Sequence, residues 1–176
     1  MRFAARSDIG KIRKVNEDSY YIPENEDKVK LFLIADGIGG QNHGKLAGMM
    51  TVESVVRNIY IDSNNPDKKL MLKKAIKTAN DKIIKHAEEN EEFRGMGSTL
   101  VALLLEDDTA YITHAGDSRC YMIRNNVISQ ITVDNSYVEY LLQRGIISAE
   151  EAKNHPQKNL KNVRRIFILR TKFLYR

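Results

Sequence analysis

Lys30-Leu31-Phe32-Leu33-Ile34-Ala35-Asp36-Gly37-Ile38-Gly39-Gly40 is the stretch on which the reading of this chain turns. The apolar run from Leu31 to Ala35 has strand length and predicts a strand over 30–35 buried on both faces. Asp36-Gly37 stops it, which delivers a carboxylate to a strand end. An unpaired carboxylate is costly to bury there, so a cation partner resolves the conflict, and the glycine lets a main-chain carbonyl approach the same ion. Hard divalent ions such as Mg²⁺ or Mn²⁺ favour such oxygen ligands. A strand-to-helix turn with Asp36 accepting from backbone amides is the other reading of these residues. A nucleotide-binding loop fits less well, because neither a dinucleotide fingerprint nor the Lys-Ser/Thr ending of a P-loop is present.

Working outward, Phe3, Ala5 and then Val15 to Ile22 read as two strands around a turn at Gly10-Lys11. After the glycines, Leu46, Met49, Met50, Val56, Ile59 and Tyr60 recur at helical spacing and predict an amphipathic helix over 43–60. A second helix should begin at Asn65 as cap with Pro66 in the first turn, run to about Glu89, and bury Leu72, Ile76, Ala79, Ile83 and Ala87. Thr99 to Leu105 and Ala110 to His114 form one predicted hairpin around Glu106-Asp107-Asp108. Arg119 to Arg124 and Val127 to Thr132 form another around Asn125-Asn126. Capping-box spacings at Ser136…Glu139 and Ser148…Glu151 predict two short helices. Strand groups alternating with helix groups indicate an α+β domain, not a βαβ repeat.

The chain has 176 residues, enough for one domain with a real core, and its +5 formal charge is unevenly spread. Eight of its 28 Lys and Arg lie from Lys153 onward with no acid among them, so residues 1–152 carry 20 basic against 23 acidic groups, a net of −3. The basic pI therefore belongs to the tail and is no argument for a nucleic-acid-binding body; the tail lacks interleaved aromatics on a defined face. Cys120 stands alone, excluding an internal disulfide and a zinc cluster of paired thiolates, and it reads as a small packing residue. No apolar run approaches membrane-spanning length, and Met1 to Asp8 has no signal-peptide centre. A cytoplasmic chain is expected. Residues 159–176 match neither period; a basic helix or strand, or out-of-frame translation of an AT-rich message, are the two readings of that composition.

Three further groups carry chemistry. Ser7-Asp8-x-Gly10-x-x-Arg13-x-x-Asn16-Glu17-Asp18 sets a guanidinium, whose planar fork suits phosphate oxygens, beside two carboxylates. Met96-Gly97-Ser98-Thr99 enters a strand, and Ala115-Gly116-Asp117-Ser118-Arg119 makes a tight corner with another strand-end acid. In this order and spacing the four groups resemble the PPM-type metal-dependent protein serine/threonine phosphatases of the bacterial kind. The resemblance runs from about Phe3 to Asn159 and includes Thr132-x-Asp134-x-Ser136 and Glu150-Glu151-Ala152-x-x-His155-Pro156.

The resemblance implies a four-layer α-β-β-α sandwich of two antiparallel sheets, incomplete at its C-terminal end, with 1–158 as the N-terminal portion of a phosphatase domain and 159–176 as a tail. It implies two Mn²⁺ or Mg²⁺ ions and a third, weaker site. Asp36 would bridge the metals, the Gly37 carbonyl would bind one, Glu17 and Asp18 would hold metal-bound water, Arg13 would bind the substrate phosphate, and Asp117 would serve the third metal. The implied reaction is attack of a metal-bridging hydroxide on phosphoserine or phosphothreonine of proteins, opposing a bacterial Ser/Thr kinase, by a monomer with no nucleic-acid or membrane partner.

The family pattern adds two later aspartates, in an Asp-Gly and an Asp-Asn motif, that have no counterpart after Asp117, since Asp134-Asn135 already belongs to the Thr-x-Asp-x-Ser segment, and this chain departs from the bacterial pattern at Ile38, Gln41, Lys45 and Gly48. A catalytically inactive remnant or binding module is therefore the alternative to an enzyme. His43 reads as a solvated loop histidine rather than a leaving-group acid.

Overall fold

The structure is a computed structural model that describes residues 1–39 and 43–156, together with the backbone of a strand at 167–172. Gly40, Gln41 and the remainder of the 159–176 tail lie outside the described residues.

The decisive stretch forms strand β2 (Lys30–Ile38), longer than its apolar run predicts. It pairs antiparallel with β1 (Asp18–Tyr21) on one side and with β4 (Leu100–Glu106) on the other, while its last two residues pair with the short β3 (Gly97–Ser98). Strand β5 (Thr109–Ala115) follows β4, and β8 (Phe167–Lys172), from the basic tail, pairs on β5. The sheet order is β1-β2-β4-β5-β8 with β3 beside β2. A second antiparallel sheet is formed by β6 (Tyr121–Arg124) and β7 (Val127–Gln130). Two antiparallel sheets with helices make this an α+β fold, as expected.

Helices α1 (His43–Ile61) and α2 (Lys68–Glu89) cover one face of the large sheet. Leu31, Leu33, Leu100, Ala102 and Leu104 meet Val55, Ile59, Met71, Leu72, Ala75, Ile76 and Ala79 in the main core. Each large side chain buried there is worth about 1.5–3 kcal/mol relative to exposure. The opposite face is more open: Tyr20 is 46% and Ile34 47% exposed. β2 thus alternates, and the expectation of burial on both faces fails at Ile34 because the two helices cover only one side.

Four other expectations are corrected. Phe3 to Ala5 is not a strand; Phe3 instead sets its ring edge-on to Phe32, with centroids 5.5 Å apart, and the chain makes a turn at 10–12. The buried face of α1 is rotated from the predicted stripe. It includes Gly44, Ala47, Gly48, Thr51 and Val55, whereas Met49 is exposed, because small residues let the helix lie close to β1. The cap of α2 is Asp67, which accepts from Leu70 N at 3.0 Å, while Asn65 accepts from Asp67 N at 2.9 Å. An anionic cap suits the helix dipole, and Asn65, two residues before it, braces its backbone. Finally, His43 is the first residue of α1, and its ring packs edge-on against Phe93 at 4.8 Å instead of standing in a solvated loop.

The hairpin turn at Asn125-Asn126 has positive φ at both residues, which matches the twist of the paired strands. Ser136 and Ser148 cap α3 (Tyr137–Gln143) and α4 (Ala149–Asn154), the second through a full capping box with Glu151.

Candidate active site

Asp36 lies two residues inside the end of β2, half-buried, on the sheet face away from α1 and α2. β1 places Asp18 directly opposite it in register, so both carboxylates stand on the same face. Like charges directly opposite each other on a sheet repel, and a hard divalent cation is the partner that such a pair of oxygen donors suits. The fit is partial: among the described residues no group of three or more His, Cys, Asp and Glu converges to hold a metal ion.

Glu17 points the other way. A Cβ on Gly44, the second residue of α1, would collide with the Glu17 carboxylate, so the acid occupies space that only glycine leaves free. The first turn of α1 contains no acid of its own. Glu17 brings a negative charge to this helix start from a different segment, where the dipole favours it. Its other oxygen faces Arg13 at 3.8 Å, with Glu17 16% and Arg13 64% exposed. Arg13 is therefore held loosely and stays largely open to solvent.

Gly37 is equally constrained. Its N–H donates to the Glu17 carbonyl at 3.2 Å, and a Cβ at this position would overlap the Gly44 carbonyl. The glycine after Asp36 lets α1 seat its first turn against β2. Gly48, one turn further, approaches the Glu17 carbonyl and the Ser19 hydroxyl in the same way.

The backbone of Asp36 is gripped by Thr99. Asp36 N–H donates to Thr99 Oγ1 at 2.9 Å, and Thr99 N–H donates to the Asp36 carbonyl at 2.9 Å. Thr99 is completely buried, and its hydroxyl lies 2.7 Å from Ser118 Oγ in the corner that carries Asp117. Asp117 itself is half-buried, two residues past the end of β5. A groove of about 700 Å³ runs along the open sheet face, lined by Tyr20, Phe32 and Leu103, with Asp18 and Asp36 at one end and Ser118 and Arg119 on its wall.

Arg119 is committed to Asp134 through two hydrogen bonds of 2.8 and 2.6 Å, which raise its pKa and keep it charged. This fork-to-fork pair joins the Gly116–Arg119 corner to the Thr132-x-Asp134-x-Ser136 segment. Burial pushes the thiol of Cys120 up, away from reactive thiolate character, in keeping with a packing role.

The structure thus brings Arg13, Glu17, Asp18, Asp36 and Gly37 to one end of the β1–β2 pair, and reaches Asp117 through the Ser118–Thr99 bond. Sequence reasoning assigned no role to Thr99, Gly44 or Asp134. For Gly44 the signal was a glycine in a helical first turn, where nothing in the local sequence calls for one.

In sequence and fold the chain is similar to known proteins. Residues 6–138 match the family profile described as Protein phosphatase 2C. A serine/threonine phosphatase (stp) of Listeria innocua is 38% identical over 159 residues, covering 88% of this chain and 63% of that protein. A crystal structure of the Mycobacterium tuberculosis serine/threonine phosphatase PstP/Ppp superposes with a TM-score of 0.85 at 32% identity, over 98% of this chain and 74% of that one. A structure of the PstP catalytic domain in complex with two manganese ions gives a TM-score of 0.76 at 30% identity, over 97% and 73% of the two chains. The chain belongs to the protein phosphatase 2C family, the PPM type that its motifs resemble. It spans less than two thirds of the length of the Listeria relative.

Proposed function

We propose that this chain carries the phosphate-facing half of a metal-dependent phosphatase that hydrolyses phosphoserine and phosphothreonine on proteins. The carrying observation is the opposition of Asp18 and Asp36 at the end of a groove, with Glu17 and its partner Arg13 supplied by the segment that leads into β1. Asp36 and the Gly37 carbonyl would hold the divalent cations, Mn²⁺ or Mg²⁺, with Asp18 holding water beside them and Asp117 serving a third, weaker site, while Glu17, expected to share the water-holding role, is turned to the start of α1 and to Arg13. When bound, such cations supply an activated water and neutralise charge on the phosphoryl group. Arg13 offers two parallel donors to the phosphate oxygens, and the carboxylate of Glu17, packed at the start of α1, keeps a loose ion pair with it. The presence of manganese in the PstP structure supports the choice of metal.

The substrates in this reading are phosphoproteins made by a bacterial Ser/Thr kinase, and the chain acts as a cytoplasmic monomer. The single cysteine supports a reducing compartment, and no helix among the described residues is long and apolar enough to cross a membrane.

A second reading, a binding module without turnover, is favoured by one observation: no three acidic, His or Cys groups converge among the described residues. Hydrolysis of a phosphothreonine peptide with added Mn²⁺, run beside Asp36→Ala, separates the two. Turnover lost in the variant supports the enzyme; phosphopeptide binding with no turnover in either protein supports the module.

A further inference from the structure

We propose that Thr99 is a positioning residue whose hydroxyl sets the spacing between the carboxylates of Asp36 and Asp117. The inference rests on the reading above that these two acids serve divalent cations.

The register of β2 against β3 and β4 places Thr99 opposite Asp36, in the gap between the two partner strands. At a regular hydrogen-bonded antiparallel pair the two residues exchange backbone N–H and carbonyl bonds. Here only one of those bonds is backbone to backbone, from Thr99 N–H to the Asp36 carbonyl. The other is replaced: Asp36 N–H donates to the Thr99 side chain, and the Thr99 carbonyl accepts instead from Ser98 Oγ at 2.8 Å. A side-chain hydroxyl thus stands in for a ladder carbonyl at the position facing the principal candidate ligand.

The same hydroxyl is 2.7 Å from Ser118 Oγ. The Thr99 methyl group fills the space where Gly116 has no side chain; a Cβ there would come within 2.6 Å of it. Asp117 is flanked by Gly116 and Ser118, and Thr99 touches both. Asp36 and Asp117 arise from distant parts of the chain, and this one buried residue holds the backbone beside each of them. The fully buried Thr99 hydroxyl, bonded on one side to Asp36 N–H and on the other to Ser118 Oγ, has little freedom to adjust, so the distance it sets is stiff.

The test is Mn²⁺ binding by the full chain, read from the electron paramagnetic resonance signal of free Mn²⁺, with melting followed by circular dichroism. Thr99→Val keeps shape and removes the hydroxyl, and binding should weaken about 10-fold or more, as when a partner behind a metal ligand is lost. Thr99→Ser keeps the hydroxyl and should lose less than about 10-fold, below the range for a lost partner. Unchanged binding in Thr99→Val overturns the proposal, as does Thr99→Ser falling equally far, since the methyl contact would then be what matters. If Thr99→Val does not fold, Ser118→Ala decides: weaker binding at an unchanged melting temperature supports the role, and unchanged binding overturns it. A wild-type chain that binds Mn²⁺ without hydrolysing phosphopeptide sinks the phosphatase reading alone. One that hydrolyses while Thr99→Val binds normally sinks this inference alone. A wild-type chain that binds no Mn²⁺ sinks both.

Discussion

Asp18 and Asp36 face each other across the β1–β2 ladder, so two carboxylates share one face of the sheet at the mouth of the groove. Cross-strand like charges are destabilising, and the arrangement makes mechanical sense as a site that is completed by a cation. In chelator, Asp18→Asn should raise stability by about 0.2–1 kcal/mol, the usual scale of a cross-strand pair. With Mn²⁺ present the order should reverse, wild type gaining more than the variant. Thermal melts with EDTA and with Mn²⁺ read both; an equal Mn²⁺ shift in the two proteins would contradict the assignment.

The packing of α1 against β2 depends on Gly37 and Gly44. Gly37→Ala would drive a methyl group into the Gly44 carbonyl, where a backbone atom has to move. A loss of at least about 1–3 kcal/mol is expected, the scale of overpacking. Gly44→Ala meets the carboxylate end of Glu17, a side chain that can swing away, and the Gly37 backbone carbon at 2.9 Å, a milder approach than the overlap at Gly37. Its stability cost should be smaller, while activity should fall as Arg13 loses its anchor. Urea unfolding midpoints beside phosphopeptide hydrolysis distinguish the two.

Leu72 is fully buried between the helices and the sheet, whereas Ile123 on β6 is 74% exposed. Leu72→Ala should cost about 2–5 kcal/mol through lost transfer energy and a residual cavity. Ile123→Ala should change stability by no more than about 0.5 kcal/mol. Chemical denaturation of both variants checks the difference.

Acid should destabilise the fold in two stages. Burial lowers the pKa of His114 below its ordinary 6.5, against the opposing pull of Asp134 and the Gly116 backbone. The unfolded chain then takes up that proton first, so the stability tied to neutral His114 is complete above pH 6.5 and is lost as pH falls through the folded value. Asp27 follows the same sign at lower pH. Its carboxylate accepts from Glu24 N–H, Tyr60 and Tyr21, which lowers its pKa below 3.8. Its contribution is present above pH 3.8 and is lost further down. Urea midpoints measured from pH 8 to 3 should decline in both windows, and Asp27→Asn should remove the lower one only.

Much of the molecule was legible in local sequence. The extent of α1 and α2, the two hairpins and the serine caps of α3 and α4 follow from periodicity, turn chemistry and capping, all of which act over a few residues. Asp36, Gly37, Arg13, Glu17 and Asp18 were singled out because a carboxylate after an apolar strand and an arginine beside acids are locally unusual.

Local pattern did not reach the relationships between distant segments. The register that sets Asp18 against Asp36, the second fold of Thr99 around Asp36 and Ser118, and the tertiary acid that Glu17 lends to α1 all join positions far apart in the chain. Nor did the apolar run reveal that Ile34 stays half open, since burial depends on what packs across the sheet. Sequence by itself determined where a carboxylate follows an apolar strand and where an arginine stands beside acids, because those signals are carried by neighbours. Only the tertiary structure decided that Asp36 shares its face with Asp18 while Glu17 turns to the helix, because strand pairing and close glycine contacts choose which groups meet.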